Sequence, residues 1–289
     1  MSKEAAKTAY GPTLLIAIEQ FFPREQRIIE DNIAYRVLSP AARAFVQLMR
    51  PTWARNLLIH LGETGPFPGM WGAMLCRKRY IDDTLAESAS DVDAVVNLGA
   101  GLDTRAYRLE ALPGMPTWEV DQPEVIQQKK AGLRRALQAL PQNVTLVPID
   151  FDHEDLHTVL EAHGHSVDSR TFFILEGVTQ YLTEKGLRST LDFLSVAASG
   201  SRLVFTYVRK DFVDGRDMRG WEQAYKKYVQ GGLWLLGLEP QELAEFLDGY
   251  GWRLVEDLGY EELAERYIKA PGRTFKTTAV ERIALAEKL

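Results

Sequence analysis

The chain has one cysteine, Cys76, in 289 residues. It can form no internal disulfide and cannot build a thiolate metal site alone, so a reducing compartment is expected, with the cytoplasm as the default. No run approaches eighteen consecutive apolar residues, and the first twenty hold only the short stretch Leu14–Ile18; neither a secretory leader nor a membrane span is expected. There is no excess of basic charge. Lys and Arg number 34 against 40 Asp and Glu, a formal charge of −6, so a polyanion is not the expected partner. Internal repeats and low-complexity blocks are also missing. What the chain has is apolar content, 46% of its residues, enough for a sizeable core in one large or two small domains.

Residues 12–90 follow a helical pattern interrupted at Pro40, Pro51 and the stretch Gly62–Gly69, with no strand-like run. After Asp93 the texture changes to short β-rich runs alternating with amphipathic stretches, which predicts a parallel sheet with crossover helices. The expected division is a helical cover over residues 1–90 and an α/β domain over 91–289. Strands are expected at Ala94–Leu98, Thr117–Val120, Val144–Ile149, Phe172–Leu175, Arg202–Val208 and Trp252–Leu258, with a seventh inside Thr274–Ala284. Ile126, Leu133, Leu137 and Leu140 give one apolar helix face; Leu187, Leu191, Leu194 and Ala198 give another behind Thr183, a fitting N-cap. Pro240 opens a further helix that carries Leu243, Phe246, Leu247 and Tyr250 and ends near Gly251.

Residues 209–238 fit no ordinary crossover helix and are rich in rings: Phe212, Trp221, Tyr225, Tyr228 and Trp234. They are expected to form an insertion folded over the sheet edge, either as a small subcore or as a ring-lined ligand pocket.

The first strand runs into a turn, Asn97-Leu-Gly-Ala-Gly-Leu-Asp-Thr104. Without Cβ atoms, Gly99 and Gly101 let a backbone bend sharply and a ligand lie against its amides and carbonyls, as nucleotide-type ligands do at the carboxyl end of a first strand. The dinucleotide fingerprint wants a third small residue where Thr104 stands, and Asp103 beside it would repel a pyrophosphate. A cationic, phosphate-free adenosyl ligand, S-adenosylmethionine, fits better. Asp121, twenty residues beyond Gly101, can accept both ribose hydroxyls; Asp150 can accept from an adenine amino group and the amide of Phe151 can donate to the neighbouring ring nitrogen. A nicotinamide-dependent oxidoreductase and a non-catalytic cofactor-binding protein remain the alternatives.

The blocks Arg77-Lys-Arg-Tyr-Ile-Asp-Asp83, Val96-Asn-Leu-Gly-Ala-Gly-Leu-Asp-Thr-Arg-Ala-Tyr-Arg-Leu109, Glu119-Val-Asp-Gln-Pro123 and Leu175-Glu-Gly-Val-Thr-Gln-Tyr-Leu182 resemble the leucine carboxyl methyltransferase family. The resemblance is closer to its bacterial branch of S-adenosylmethionine-dependent O-methyltransferases of polyketide and other secondary metabolism. It extends over nearly the whole chain, to Val280–Ala286. It implies a Rossmann-like, seven-stranded class I methyltransferase sheet with a helical cover. It also implies that Arg77 pairs with the methionine carboxylate, Gly99 lies at the methionine part, Asp121 at the ribose, Asp150 and Phe151 at the adenine, and Glu176 near the methionine end.

His153-Glu-Asp-Leu-His157 matches the zinc-protease pattern H-E-x-x-H, with Glu176 nineteen residues beyond it as a conceivable third ligand. It starts directly after a strand end, in the exposed first turns of a crossover helix, so no metal site is expected. Methyl transfer asks for an aligned acceptor in a dry pocket. A carboxylate acceptor needs no base; a phenol, an alcohol or an indole carbon can require one. Tyr181, Tyr207 and the histidines are candidates without an assignment. The ring-rich insertion and Phe67–Trp71 suit a lid over a small, partly apolar methyl acceptor.

Overall fold

A computed structural model describes residues 10–289 apart from 152 and 275. The N-terminal part is helical: α1 (Tyr10–Glu19), α2 (Ala34–Val37), α3 (Pro40–Leu48), α4 (Thr52–Thr64) and α5 (Met70–Ser88). The expected breaks fall where the helices begin. Ser39 caps α3 by accepting from the amide of Ala42, with Pro40 in the first turn, and Pro51 stands just before α4.

From there strands and helices alternate: β1 (Ala94–Leu98), α6 (Arg105–Arg108), β2 (Thr117–Asp121), α7 (Pro123–Ala136), β3 (Val144–Pro148), α8 (Leu156–Ala162), β4 (Thr171–Leu175), α9 (Glu184–Ser195), β5 (Arg202–Val208), α10 (Lys210–Val213), α11 (Glu222–Ala224), α12 (Leu243–Asp248), β6 (Trp252–Gly259), α13 (Tyr260–Tyr267) and β7 (Glu281–Lys288). The sheet order is β3-β2-β1-β4-β5-β7-β6, with β7 antiparallel to both of its neighbours. This is the seven-stranded α/β sheet that the strand pattern implied.

A sheet covered on both faces must bury both sets of alternating side chains, and this one does. Val95, Phe172, Ile174, Val204 and Ile283 pack against α1, α5 and α13 through Ile16, Leu75, Ile81 and Leu263. Val96, Val120, Phe173, Leu175 and Phe205 face the other way, against Leu160 of α8, Leu187, Leu191 and Leu194 of α9 and Leu247 of α12. Cys76 is buried in the first of these layers, where burial pushes its thiol up to about 12. Among the described residues no helix is long and apolar enough to cross a membrane.

Two expectations are corrected. The last strand starts at Glu281 and runs to Lys288, later than Thr274–Ala284, because its pairing is set by β5 and β6 on its two sides. Leu137 leaves α7 in an extended conformation as its C-cap and Leu140 lies beyond it; Pro141 follows and disfavours helix before it. The ring-rich segment rises from β5, whose neighbours in the sheet are β4 and β7. Its base is closed by Lys210 N–H donating to the Leu238 carbonyl and Leu238 N–H donating to that of Val208, both at 2.9 Å. Inside it α11 continues into a π-helical turn, Tyr225–Val229, a wider geometry that recurs at functional sites.

Candidate active site

The carboxyl ends of β1, β2 and β4 open into a cavity of about 420 Å³. Its floor is the turn after β1, where Gly99 has φ +75° and a Cβ would strike the side chain of Val178. The amides of Gly99 and Ala100 donate to the Val120 carbonyl at 2.8 and 3.0 Å, which ties the turn to β2. Asp121, at the end of β2, accepts from the amides of Gly101 and Gln122, each at 2.7 Å. Each oxygen keeps a lone pair for a further donor, and burial raises the carboxyl against these two amides.

A buried ion-pair network closes one side. Arg77, on α5, donates through Nε to Glu176 at 2.8 Å and through Nη1 to both oxygens of Glu281 at 3.0 and 3.2 Å. Its Nη2 lies against Gly177, whose φ is +68° and where a Cβ would come within 3.3 Å. Lys78 bridges Asp103 and Glu176 at 2.7 and 2.8 Å; Arg105 reaches Asp103 at 2.5, Asp82 at 3.1 and Glu176 at 3.2 Å; Arg108 pairs with Asp82 and Asp31. Burial alone would raise Glu176, but Lys78, Arg77 and Arg105 outweigh it and hold the carboxyl at about 2. Asp103 is held well below the carboxylate range in the same way, by Arg105 and Lys78. Five carboxylates (Asp31, Asp82, Asp103, Glu176, Glu281) face four cations (Arg77, Lys78, Arg105, Arg108). Asp121 adds one more carboxylate at the cavity, so a ligand of net positive charge suits it.

The opposite wall is apolar. Met70 and Met74 of α5, Tyr181 after β4, and Trp221, Tyr228 and Trp234 of the insertion line it. Tyr228 and Trp234 stack with ring centroids 4.9 Å apart, and Phe67 meets Trp221 edge-on at 5.8 Å. The insertion is therefore a subcore and a cavity wall at once: Phe212, Trp221 and Trp234 pack with Val208 and Val280, while Trp221 and Trp234 also border the open space.

Of the residues singled out in the sequence, Arg77, Gly99, Gly101, Asp121 and Glu176 meet around this cavity. Asp150 and Phe151 stand on the loop after β3. The Asp150 carboxylate is half-exposed, 2.9 Å from His153 Nδ1, and Phe151 lines a neighbouring cavity that shares Tyr181 with the first. The H-E-x-x-H stretch forms no helical ligand pair: His153 precedes α8, Asp155 is the N-cap, and only His157 lies on the helix. No metal-binding group of side chains occurs among the described residues. Lys78, Arg105 and Glu281 went unnoticed in the sequence. Lys78 and Arg105 stand inside quoted motifs, beside Arg77 and Asp103, and that adjacency was the available signal; Glu281 stands inside Val280–Ala286, the last stretch of the resemblance, which attached no role to it.

A family model of leucine carboxyl methyltransferase matches residues 9–195. A protein of Mycobacterium avium named "putative S-adenosyl-L-methionine-dependent methyltransferase" is 35% identical over 283 residues, covering 92% of this chain and 88% of its own length. A Frankia alni protein of the same description is 32% identical over 251 residues, 85% and 82% of the two chains. Among solved structures, a DUF574 family protein of Streptomyces avermitilis aligns with a TM-score of 0.59 at 14% identity, over 95% of this chain and 97% of that one. Such a likeness speaks for the fold. The family match and the two relatives together establish that the chain belongs to the leucine carboxyl methyltransferase family and is an S-adenosylmethionine-dependent methyltransferase.

Proposed function

We propose that the chain transfers the methyl group of S-adenosylmethionine to an oxygen atom of a small, ring-bearing metabolite. The observation that carries this reading is the continuity of the cavity, from the glycine turn past Glu176 and Gly177 to the wall of Trp221, Tyr228 and Trp234. In this reading Asp121 accepts the ribose hydroxyls, the Gly99–Gly101 backbone lies along the ligand, and Arg77 offers Nη2 to the amino-acid carboxylate. Asp150 and the Phe151 amide keep the adenine edge, the loop after β3 being the next segment along from Asp121. Glu176 stays ionised at neutral pH, so it offsets cationic charge and orients Arg77, Lys78 and Arg105. The bound sulfonium supplies an activated methyl group and leaves as a neutral thioether.

The protein's part is alignment and exclusion of water. Apolar rings and the two methionines hold an acceptor by its faces and leave its reacting oxygen toward Glu176 and Gly177. A wall of one insertion and one helix suits a metabolite rather than a protein tail. The test is incubation with methyl-labelled S-adenosylmethionine and matched phenolic, indolic and carboxylic compounds, followed by mass spectrometry. The expected product carries the label on oxygen. Label on carbon or nitrogen alone, or on no member of the set, would contradict the reading.

A further inference from the structure

Ten large apolar side chains are exposed among the described residues, and five of them, Phe45, Leu48, Trp53, Leu57 and Leu61, fall on the consecutive helices α3 and α4. Trp53, Leu57 and Leu61 follow one another at four-residue steps, so they form one row along the outer face of α4, with Trp53 71% exposed. The other exposed positions of that helix are Thr52, Asn56, His60, Gly62 and Thr64, which include no Asp, Glu, Lys or Arg. Its two charged residues are not among them: Arg55 is buried over the Phe22 ring, and Glu63 is half-buried. Leu58 and Ile59 already serve the core on the inner side. A helix that is apolar on both sides is one that is covered on both.

We propose that this face is where two copies of the chain meet, as a two-fold pair whose axis passes beside Leu57, the middle of the row. Charge selects the occupant. A two-fold contact sets a surface against itself, so a charge near the axis would meet its own sign, and this row carries none. Helices that lie on a lipid surface are held there by Lys and Arg along their polar face; the exposed positions of α4 have neither, and the chain's formal charge is −6. Residues 1–9, MSKEAAKTA, offer Met1 as their only large apolar side chain, too little to cover five. Area points the same way. The five residues leave roughly 600 Å² bare, at the top of the range for a monomer's largest patch and most of the ~800 Å² that each partner buries in a standard interface. Rows at four-residue spacing interdigitate when two helices cross at about −50°, which sets Leu57 of one copy beside Leu57 of the other. The pairing does not depend on what the cavity holds.

The experiment is sedimentation equilibrium of the full chain, wild type against Leu57→Arg, Leu57→Glu and Val255→Arg, the last being an exposed apolar position on β6 far from this face in sequence. The expected wild type is a dimer with a Kd of about 1 μM or tighter. Leu57→Arg and Leu57→Glu, each alone, should raise that Kd at least about a hundredfold, because like charges then meet at the axis. Their circular dichroism should stay that of wild type, since Leu57 is half-exposed in the single chain. An equal mixture of the two should form a heterodimer, Arg against Glu, which only a two-fold contact at this position can restore. Val255→Arg should leave the dimer as it is. A wild type that stays monomeric up to about 100 μM would overturn the proposal, as would a dimer that survives both changes at Leu57. Two monomeric variants that fail to pair when mixed would rule out the two-fold arrangement. Wild type that binds phosphatidylcholine vesicles and not itself would give the face to lipid and overturn the proposal too.

Discussion

The charged half of the cavity is assembled from far apart in the chain, and the ring-lined half mostly from one segment. Arg77 joins Glu176 across 99 positions and Glu281 across 204, so α5, the end of β4 and the start of β7 must all arrive before the network is complete. Removing one member leaves buried charge without a partner, which costs far more than the pair contributes. The rings of residues 209–238 touch by edge and stack, and apolar contacts repack when a side chain changes. The charged half is thus intolerant of substitution, while the ring-lined half can be reshaped without dismantling the fold. On the proposed function, acceptor specificity resides where repacking is cheap.

The largest break in this contrast is Glu176→Ala. It strands Arg77, Lys78 and Arg105, and a destabilisation of about 3–5 kcal/mol is expected, read as a lowered denaturant midpoint with unchanged slope and loss of S-adenosylhomocysteine binding. Acid should act on the same group. Its folded pKa of about 2 lies below its ordinary 4.5, so its contribution is complete above pH 4.5 and fades as pH falls toward 2, which an acid unfolding titration of wild type against the variant would register. Next comes Asp121→Asn. It keeps an acceptor for one of the Gly101 and Gln122 amides, sets an NH2 against the other and loses charge-assisted acceptance from the ribose, so the product Kd should rise about tenfold with the fold intact by circular dichroism. The smallest effect is expected in the other half. Tyr228→Leu ends the stack on Trp234 and should raise the acceptor KM several-fold, about 1 kcal/mol, while the product Kd moves less than twofold. Equal effects of Tyr228→Leu on both constants would erase the distinction between the halves.

How much of this was legible in the sequence follows the same division. Strands such as Arg202–Val208 could be placed to the residue because a short, nearly continuous apolar run is a local signal, and this one is buried almost throughout. Thr183 was recognised as a cap for the same reason, its hydroxyl accepting from Gly186 three residues on. The glycine turn and Asp121 belong to one β-α-β unit whose spacing is short-range. The start of β7 was misplaced because an antiparallel strand inserted between β5 and β6 takes its register from partners far away. Glu281 escaped notice on the same account, since its cationic partner Arg77 is 204 positions distant. The rings of the insertion were visible as composition, but whether they fill space or border it depends on the closure of Lys210 against Leu238, which composition does not encode.

The claim beneath all of this is that the cavity accepts a cationic adenosyl ligand without phosphates. Parallel calorimetric titrations of the wild-type chain with S-adenosylmethionine and with NAD, at low and at moderate salt, test it directly. Saturable binding of S-adenosylmethionine, weakened by Asp121→Asn and with no heat from NAD, is the expected result. Binding of NAD with none of S-adenosylmethionine would contradict the account.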